Sequence, residues 1–378
     1  MSAPPQSPPL KIGPIEVDPP VMLAPMAGVT NVAFRALCRS FGASLNVSEM
    51  IMARALVERS PRTMAMLAFA PDEPHRSVQL YGVDPQTIGA AVGRLVDVVG
   101  VDHIDLNFGC PAAKVTRKGG GAALPVHGVL FRSIVRAAVG AAGTVPLTVK
   151  LRIGIDDGHR TFIESGRVAA DEGAAAVSLH ARTAEQLYSG HADWSAITEL
   201  VAGVTSIPVL GNGDIWEGSD ALRMMSQTGC AGVVIGRGCL GRPWLFRDLA
   251  DAFAGRPAQA PPSLGVVVDT MKTHARLLCD SMGEAGGCRD FRKHVGWYLA
   301  AFPIGPERRR HLALVSTLGE LEAQLDELDP AIAFPPEAIR MVRGHSQGPR
   351  RVTLPYGWLD NPDDPTPPAG ADLVVSGG

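Results

Sequence analysis

The run His103-Ile104-Asp105-Leu106-Asn107-Phe108-Gly109-Cys110-Pro111 begins with a predicted strand, His103–Asn107, and continues with a glycine, a cysteine and a proline. Seven other short runs rich in Val, Leu and Ile surround it along the chain, at Val21–Ala24, Leu45–Val47, Ser77–Tyr81, Leu147–Leu151, Ala176–His180, Pro208–Gly211 and Gly232–Ile235. This composition is typical of parallel strands that are buried on both faces. Amphipathic stretches lie between the runs. Eight strand–helix units in succession predict a TIM (β/α)8 barrel.

A doubly wound sheet is the main alternative for such a pattern. That fold usually needs fewer units and opens with a Gly-rich turn. Here the first turn is Pro25-Met26-Ala27-Gly28, which is no dinucleotide fingerprint.

Length and composition fit a barrel with an appendage. The chain has 378 residues, of which 46% are hydrophobic and 19% charged, as in an ordinary globular protein. We predict an N-terminal lead over 1–19, the barrel over 20–255, a smaller helical domain over 262–330, and a disordered Pro- and Asp-rich tail over 348–378. Neither a signal peptide nor an 18-residue apolar run is evident, so a cytoplasmic location is expected.

Charge alone gives no overall argument for a nucleic-acid partner, because the net charge is −3. Residues 272–311 nevertheless carry an excess of four positive charges. On charge alone, a solvated helical surface is the favoured interpretation of that region. The six cysteines form no C-x-x-C pair, so neither a zinc site nor a disulfide framework is indicated.

The barrel predicts that active residues follow the carboxyl ends of the strands. Nearly every predicted strand is followed by polar, charged, cysteine or glycine residues, whereas the opposite ends carry ordinary turn residues. The strand-end residues are Met26, Glu49, Gln79, Tyr81, Asn107, Cys110, Lys150, Arg152, His180, Arg182, Asn212, Gly213, Asp214, Gly236 and Arg237. This asymmetry predicts an enzyme with a large site at the barrel mouth.

Two Gly-rich turns, Gly211–Asp214 and Gly236–Gly238, follow the last two strands. TIM barrels commonly hold a phosphate at this place, where main-chain N–H groups and Arg237 would contact it. Two tight turns that merely need the freedom of glycine are the simpler alternative.

Lys150 and Cys110 are the side chains with the most reactive chemistry. Lys150 near the top of a strand would form a Schiff base, neutralise a cofactor's negative charge, or belong to a structural ion pair. A lone Cys is more often a small buried hydrophobe. Its place at a strand end, before a Gly-rich basic loop with Lys114, Arg117 and Lys118, favours an active-site thiol. Without an activating His, the thiol is expected to stay protonated and to act as an acid.

Two further strand ends carry weaker signals. Gln79 suits an amide-like edge such as the pyrimidine end of a flavin. His180 and Arg182 favour contact with an anionic substrate or cofactor, and no metal site is expected.

Several runs together resemble the tRNA-dihydrouridine synthase family, most closely its bacterial B-type branch. The resemblance covers roughly residues 10–330. Its most specific part is Asn107–Pro111, and the others include Leu23–Thr30, Ser48–Met50, Val78–Gly82, Val149–Arg152, His180–Thr183, Asn212–Ile215, Ile235–Gly238 and Phe291–Tyr298.

The resemblance implies an FMN-dependent reductase of uridine in tRNA, with NADPH as reductant. Pro25, Met26 and Ala27 would line the flavin, Gln79 and Lys150 would contact its polar edge, and Asn212, Gly213, Asp214, Gly236 and Arg237 would hold its ribityl phosphate. Cys110 would donate a proton to C5 of uracil. The substrate would contact Asn107, His180, Arg182, Arg117 and Lys118. The helical domain would hold tRNA. No protein partner is implied, and a monomer is expected.

Three other classes of protein remain open. One is an FMN barrel that reduces a small molecule such as dihydroorotate or an enone. Another is a Schiff-base lyase that uses Lys150. The third is a non-catalytic RNA-binding protein.

Overall fold

The computed structural model describes residues 9–344 and 348–371. A short antiparallel hairpin, β1 (Leu10–Ile12) and β2 (Ile15–Val17), precedes a closed barrel of eight parallel strands. The barrel strands, each hydrogen-bonded to the next in chain order, are β3 (Val21–Leu23), β4 (Leu45–Met52), β5 (Ser77–Tyr81), β6 (His103–Phe108), β7 (Leu147–Arg152), β8 (Ala176–His180), β9 (Val209–Asn212) and β10 (Gly232–Ile235). Strand β10 pairs with β3 and closes the cylinder. The predicted TIM barrel is confirmed.

The helices follow the strands as a (β/α)8 barrel requires. Those of the barrel are α1 (Val32–Ser40), α2 (Ala53–Val57), α3 (Pro61–Met66), α4 (Pro85–Arg94), α5 (Ala113–Thr116), α6 (Gly128–Ala142), α7 (Phe162–Asp171), α8 (Trp194–Gly203), α9 (Gly218–Thr228) and α10 (Leu245–Phe253). The helical domain contains α11 (Leu264–Met282), α12 (Glu284–Tyr298), α13 (Pro306–Leu312) and α14 (Leu318–Asp326). In the described ranges, no helix is both long and apolar enough to cross a membrane.

Local sequence explains where the helices begin. Asn31 caps α1 by accepting a hydrogen bond from the Phe34 N–H at 3.1 Å, and Asp84 caps α4 through the Thr87 N–H at 2.6 Å. Pro85 then occupies the first turn of α4, where its missing N–H costs nothing. Each of the two caps satisfies an N–H group of the first helical turn that has no intrahelical partner.

The β4 strand runs further than its sequence predicts. The expected strand ends at Val47, but pairing with β5 continues to Met52 after a register shift between Val47 and Met50. Such irregularities bend a strand and redirect its side chains. Glu49 lies in the shifted segment and accepts a hydrogen bond from the Gly28 N–H at 2.6 Å.

The N-terminal lead contributes to the core. Leu10, Ile12, Ile15 and Val17 of the hairpin are buried against inward-facing barrel residues such as Leu210. The hairpin thereby covers the end of the barrel opposite the mouth. Its two strands of three residues each are too short to produce a clear alternating pattern in the sequence. Residues 1–8 of the lead lie outside the described residues.

The helical domain packs on α1. Its own apolar cluster, which includes Met271, Phe291 and Leu321, also contains Ala33 of α1. The ring of Phe34, on the same helix, lies 5.9 Å from the ring of His294 on α12. This contact fixes α12 beside the barrel mouth.

The C-terminal segment differs from the disorder that its composition predicts. Trp358 is 6% exposed, and its indole Nε1 donates a hydrogen bond to the Ala123 carbonyl at 2.9 Å. Ala371 is buried as well. Residues 348–371, hereafter the C-terminal strap, are thus anchored on the barrel through Trp358 despite their Pro- and Asp-rich sequence. Residues 372–378 of the predicted tail lie outside the described residues.

Candidate active site at the barrel mouth

A cavity of about 920 Å³ opens at the carboxyl ends of the barrel strands. This volume lies within the range of sites for drug-sized ligands and cofactors. Most strand-end residues singled out in the sequence line the cavity, namely Pro25, Met26, Ala27, Gln79, Asn107, Cys110, Lys150, Arg152, His180, Arg182, Asn212, Gly213, Asp214, Gly236 and Arg237. The strand ends therefore converge on one site.

Asn107 holds Cys110 in place. Its side-chain Oδ1 accepts hydrogen bonds from the N–H groups of Gly109, at 3.0 Å, and Cys110, at 2.8 Å. Its Nδ2 donates to Gln79 Oε1 at 2.8 Å. The resemblance predicts that Asn107 contacts the substrate, and Asn107 does line the cavity. Its amide is already engaged at both ends, with the Cys110 turn and with Gln79.

The Cys110 thiol is half-buried and lines the cavity. Burial raises the pKa of this thiol, an effect opposed by the main-chain contact at Ala112 and by the charges of Arg152 and Lys114. The group therefore carries its proton at neutral pH. This state is the one that an acid needs before it donates a proton.

A buried polar network lies beneath the cavity floor. Asp105 is 3% exposed and accepts hydrogen bonds from Gln79 Nε2 and Thr148 Oγ1, both at 2.6 Å. His103 continues the network to Thr148 at 3.0 Å and to Ser77 at 2.7 Å. Burial raises the pKa of Asp105 to about 6. The hydrogen bonds from Thr148 and Gln79 and the charge of Lys150 act in the opposite direction. The carboxylate orients Gln79, whose side chain is thus committed at both ends.

Lys150 is a buried cation whose charge acts on Asp105 of this network. Its Nζ donates to Asn212 Oδ1 at 2.9 Å, and Asn212 Nδ2 donates to the Val234 carbonyl at 2.6 Å. Burial lowers the pKa of Lys150 to about 8, and the Asp105 charge acts in the opposite direction. Lys150 contacts a neutral amide and forms none of the described ion pairs, so its charge is available to a bound anion.

His180 and Arg182 have different surroundings from those expected for two anion ligands. Burial and four neighbouring cations, Arg152 first, lower the pKa of His180 well below its ordinary value, so the imidazole is neutral. Arg182 is 2% exposed and forms a two-pronged ion pair with Asp214, at 2.8 and 2.9 Å. This pair holds the loops after β8 and β9 together.

The predicted phosphate region contains both glycine turns. Gly213 has φ +132° and a Cβ at this position would lie 2.7 Å from Ala192 Cβ, so the turn requires glycine. Asp214 is engaged with Arg182 and with the Ala192 N–H at 2.7 Å, which makes it a support for the turn and a poor phosphate ligand. Arg237 lies over the ring of Tyr188 at 4.3 Å from the centroid and lines the cavity.

Not every predicted residue reaches the cavity. Arg117 and Lys118 do not line it, whereas Lys114 in the preceding turn does. Among the described residues, no group of three or more His, Cys, Asp or Glu is placed to hold a metal ion.

Sequence reasoning missed the lining residues that come from outside the barrel. Lys293 and Trp297 reach the cavity from α12, and the Lys293 Nζ donates to the Gly28 carbonyl. Arg350, Arg351, Val352 and Thr353 reach it from the C-terminal strap. The adjacent basic residues 350 and 351, just before the Pro- and Asp-rich stretch, were the one available signal for the strap.

A closed (β/α)8 barrel that gathers a thiol, a buried lysine and Gly-rich turns at the carboxyl ends of its strands has the arrangement of a (β/α)8-barrel enzyme. The dihydrouridine synthase family pattern matches residues 22–333. The chain belongs to the dihydrouridine synthase family.

Relatives of known name agree with this assignment. The chain is 58% identical to a probable tRNA-dihydrouridine synthase of Mycobacterium tuberculosis (strain ATCC 25618 / H37Rv), over 98% of each chain. It is 56% identical to the corresponding protein of Mycobacterium leprae (strain TN), over 94% of this chain and 100% of the relative. It is also 38% identical to tRNA-dihydrouridine synthase B of Xanthomonas axonopodis pv. citri (strain 306), over 87% of this chain and 99% of the relative.

Solved structures share the fold at low identity. Histamine dehydrogenase from Rhizobium sp. 4-9 matches with a TM-score of 0.51 and 12% identity, over 86% of this chain and 65% of that structure. A 2-naphthoyl-CoA reductase matches with a TM-score of 0.51 and 13% identity, over 76% of this chain and 55% of that structure. At this identity the likeness concerns the barrel fold alone.

Proposed function

We propose that the protein is an FMN-dependent tRNA-dihydrouridine synthase that reduces the C5=C6 bond of uridine, with NADPH as the reductant. The observation that carries the proposal is one cavity in which a protonated thiol, Cys110, and a buried cation, Lys150, face the same space. Family membership and the names of the relatives support the same reaction.

The residues of the cavity fit a flavin. Among the described residues no carboxylate forms an ion pair with Lys150, so its charge suits the pyrimidine end of a flavin, which gains negative charge on reduction. The Gly213 and Gly236 turns, with Arg237 beside them, suit the ribityl phosphate. Pro25, Met26 and Ala27 provide small and apolar surface for the ring. When bound, the flavin supplies a hydride to C6 of uracil.

The thiol of Cys110 completes the reduction. Hydride addition at C6 leaves negative charge that is shared by C5 and the C4 carbonyl, so C5 must receive a proton. Cys110 holds that proton at neutral pH because burial raises its pKa. Asn107 keeps the thiol at a constant position through the Gly109 and Cys110 N–H groups. The target base must leave its stack to bring C5 and C6 to residues that line the cavity.

Purified protein tests the proposal directly. We expect flavin absorbance that mass spectrometry assigns to FMN. We also expect dihydrouridine in unmodified tRNA only when NADPH is present, with NADH as the comparison. Colourless protein that does not take up FMN would refute the cofactor assignment. Turnover of free uridine or an enone at the rate of tRNA would favour a small-molecule reductase.

A further inference from the structure

The C-terminal strap lies beyond the family-matched range, yet part of it lines the active-site cavity. The family pattern ends at residue 333, whereas the strap comprises residues 348–371. Arg350 and Arg351 share the cavity with Cys110 and Lys150. The main-chain N–H of Arg350 donates to the Glu185 carbonyl at 2.9 Å, which fixes this part of the strap on the loop after β8.

A second attachment holds the strap on the loop that follows Cys110. The ring centroids of Trp358 and His127 lie 3.8 Å apart with the two planes tilted by 34°, and His127 Nε2 lies 2.7 Å from the Trp358 carbonyl oxygen. A Cβ at Gly119 would approach the Trp358 ring to 2.7 Å, so the glycine lets the indole pack against the loop. With attachments at both Glu185 and Ala123, the arginine pair is held over the mouth.

The two strap arginines differ from the other arginines of the cavity. Arg182 is bound to Asp214, and Arg152 donates to the carbonyls of Gly109, Thr183 and Leu187 at 2.8 Å each. Arg350 and Arg351 are exposed. Within residues 9–344 and 348–371, neither guanidinium forms a hydrogen bond or an ion pair. Both are therefore free to bind an anion.

The positive charge of the mouth and the geometry of the guanidinium groups favour phosphate as that anion. Eight Lys and Arg residues and a single carboxylate, that of Asp214, line the cavity within the described part of the chain. Asp214 is already paired with Arg182, so the field at the mouth is strongly positive. A guanidinium presents a planar fork of donors that matches phosphate oxygens.

We propose that Arg350 and Arg351 bind backbone phosphates of the tRNA next to the uridine that enters the cavity. The proposal rests on the proposed function. An RNA is far larger than the cavity, so the nucleotides beside the flipped base must rest on its rim, where the two exposed arginines lie. The strap thus adds an RNA contact outside the part of the chain that the family pattern covers.

Binding of unmodified tRNA to the full-length holoenzyme tests the proposal, without reductant so that no turnover occurs. The variant carries Arg350→Gln and Arg351→Gln. We expect affinity to fall about tenfold, and the slope of log Kd against log salt to decrease by about one for each arginine lost. Arg350→Lys with Arg351→Lys keeps the charge and should retain the slope.

A matched control removes two charges from the outer helices. Arg136→Gln with Arg167→Gln changes exposed residues of α6 and α7, remote from the mouth, and should leave affinity and slope unchanged. Unchanged affinity and slope in the Arg350→Gln/Arg351→Gln protein would overturn the proposal.

Two further measurements distinguish an RNA contact from a contact with the reductant and from a failure of the proposed function. Anaerobic flavin reduction by NADPH, measured without tRNA, should proceed at the wild-type rate in the strap variant. Slower reduction with normal tRNA binding would assign the pair to a phosphate of the reductant and overturn our proposal. Failure of the wild-type enzyme to form dihydrouridine would instead refute the proposed function, independently of the binding result.

Discussion

Asn107 links the Cys110 turn to the polar side chains of the cavity floor. Its carbonyl oxygen accepts from two successive N–H groups, and its amide nitrogen donates to Gln79. Through Gln79 the arrangement continues to Asp105, which is 3% exposed. The position of the thiol and the orientation of the cavity floor are therefore coupled through side chains of β5 and β6.

Replacing the thiol tests the acid role. We expect Cys110→Ala to lower the rate of dihydrouridine formation by about 10²- to 10⁴-fold, because a positioned acid contributes on this order. Flavin content and flavin reduction should be unchanged. Single turnover of the prereduced enzyme with tRNA measures the step. Cys279→Ala, a thiol of the helical domain, is the control, and a full rate in Cys110→Ala would remove the proton-donor assignment.

Asp105 is expected to set the alkaline limit of activity through Lys150. Burial lowers the pKa of Lys150 to about 8, and the negative charge of Asp105 partly offsets that decrease. Activity should fall as pH rises through about 8, because Lys150 then loses its proton. In Asp105→Asn the neutral lysine is favoured further, so the fall should begin at lower pH.

A profile of kcat/KM against pH for both proteins measures this shift, because it reports the pKa values of the essential groups in the free enzyme. Asp171→Asn on the outer face of α7 serves as the control. An alkaline limb at the same pH in wild type and Asp105→Asn would contradict the coupling between the two groups.

At the scale of elements, the short 3₁₀ helix over Gly121–Val126 supports the Cys110 turn. The Ala122 N–H donates to the Cys110 carbonyl at 3.0 Å. Gly121 has φ +56°, and a Cβ there would lie 2.5 Å from that same carbonyl oxygen. The glycine is therefore required both by its backbone conformation and by the close approach of the chain.

We expect Gly121→Ala to displace the Cys110 turn and to lower the rate of dihydrouridine formation about 10²-fold, since small misplacements of reacting groups have effects of this size. The protein should also lose about 1–2 kcal/mol of stability from the left-handed conformation. Single-turnover rates and urea unfolding measure the two effects. Gly128→Ala, where a Cβ meets nothing within 4 Å, is the control. Equal rates for the two variants would show that the turn does not depend on Gly121.

The elements differ in how well sequence predicts them. Strands β5, β8 and β10 have the predicted bounds, because their apolar runs stop where polar mouth residues begin. The hairpin of Leu10–Val17 and the strap escape prediction because each depends on contacts distant in sequence, such as Trp358 with Ala123. The same limit applies to the site. Its strand-end residues follow from the barrel, but the pairing of Arg182 with Asp214 and the arrival of Lys293 require tertiary structure.

For the whole molecule, the junction between the barrel and the helical domain decides how the two act together. The junction is an aromatic cluster in which the rings of His274 and His294 lie 4.5 Å apart, beside Phe34 of α1. Lys293, which precedes His294 on α12, reaches the cavity and donates to Gly28. Loss of the junction would thus remove α12 from the mouth.

Acid should weaken this junction. Both histidines are fully buried, and neither ring nitrogen of His294 has a partner among the described residues. Burial lowers the pKa of His274 to about 3 and that of His294 well below its ordinary value, with the charge of Lys293 acting in the same direction. In the unfolded chain both histidines would have a pKa of about 6.5. Below that pH the unfolded state binds protons that the folded state does not.

Stability should therefore fall as pH decreases from about 6.5 towards about 3, by up to about 1.4 kcal/mol per pH unit for each of the two histidines. We expect His294→Phe, which removes one titrating imidazole and leaves no unpaired ring nitrogen, to reduce that slope by up to about 1.4 kcal/mol per pH unit. Urea unfolding between about pH 7 and about pH 5 measures it, a window that spans the titration of unfolded histidine. His311→Phe, on the exposed surface of α13, is the control and should keep the wild-type slope. A slope in His294→Phe equal to that of the control would mean that acid destabilises the protein elsewhere and not through His294.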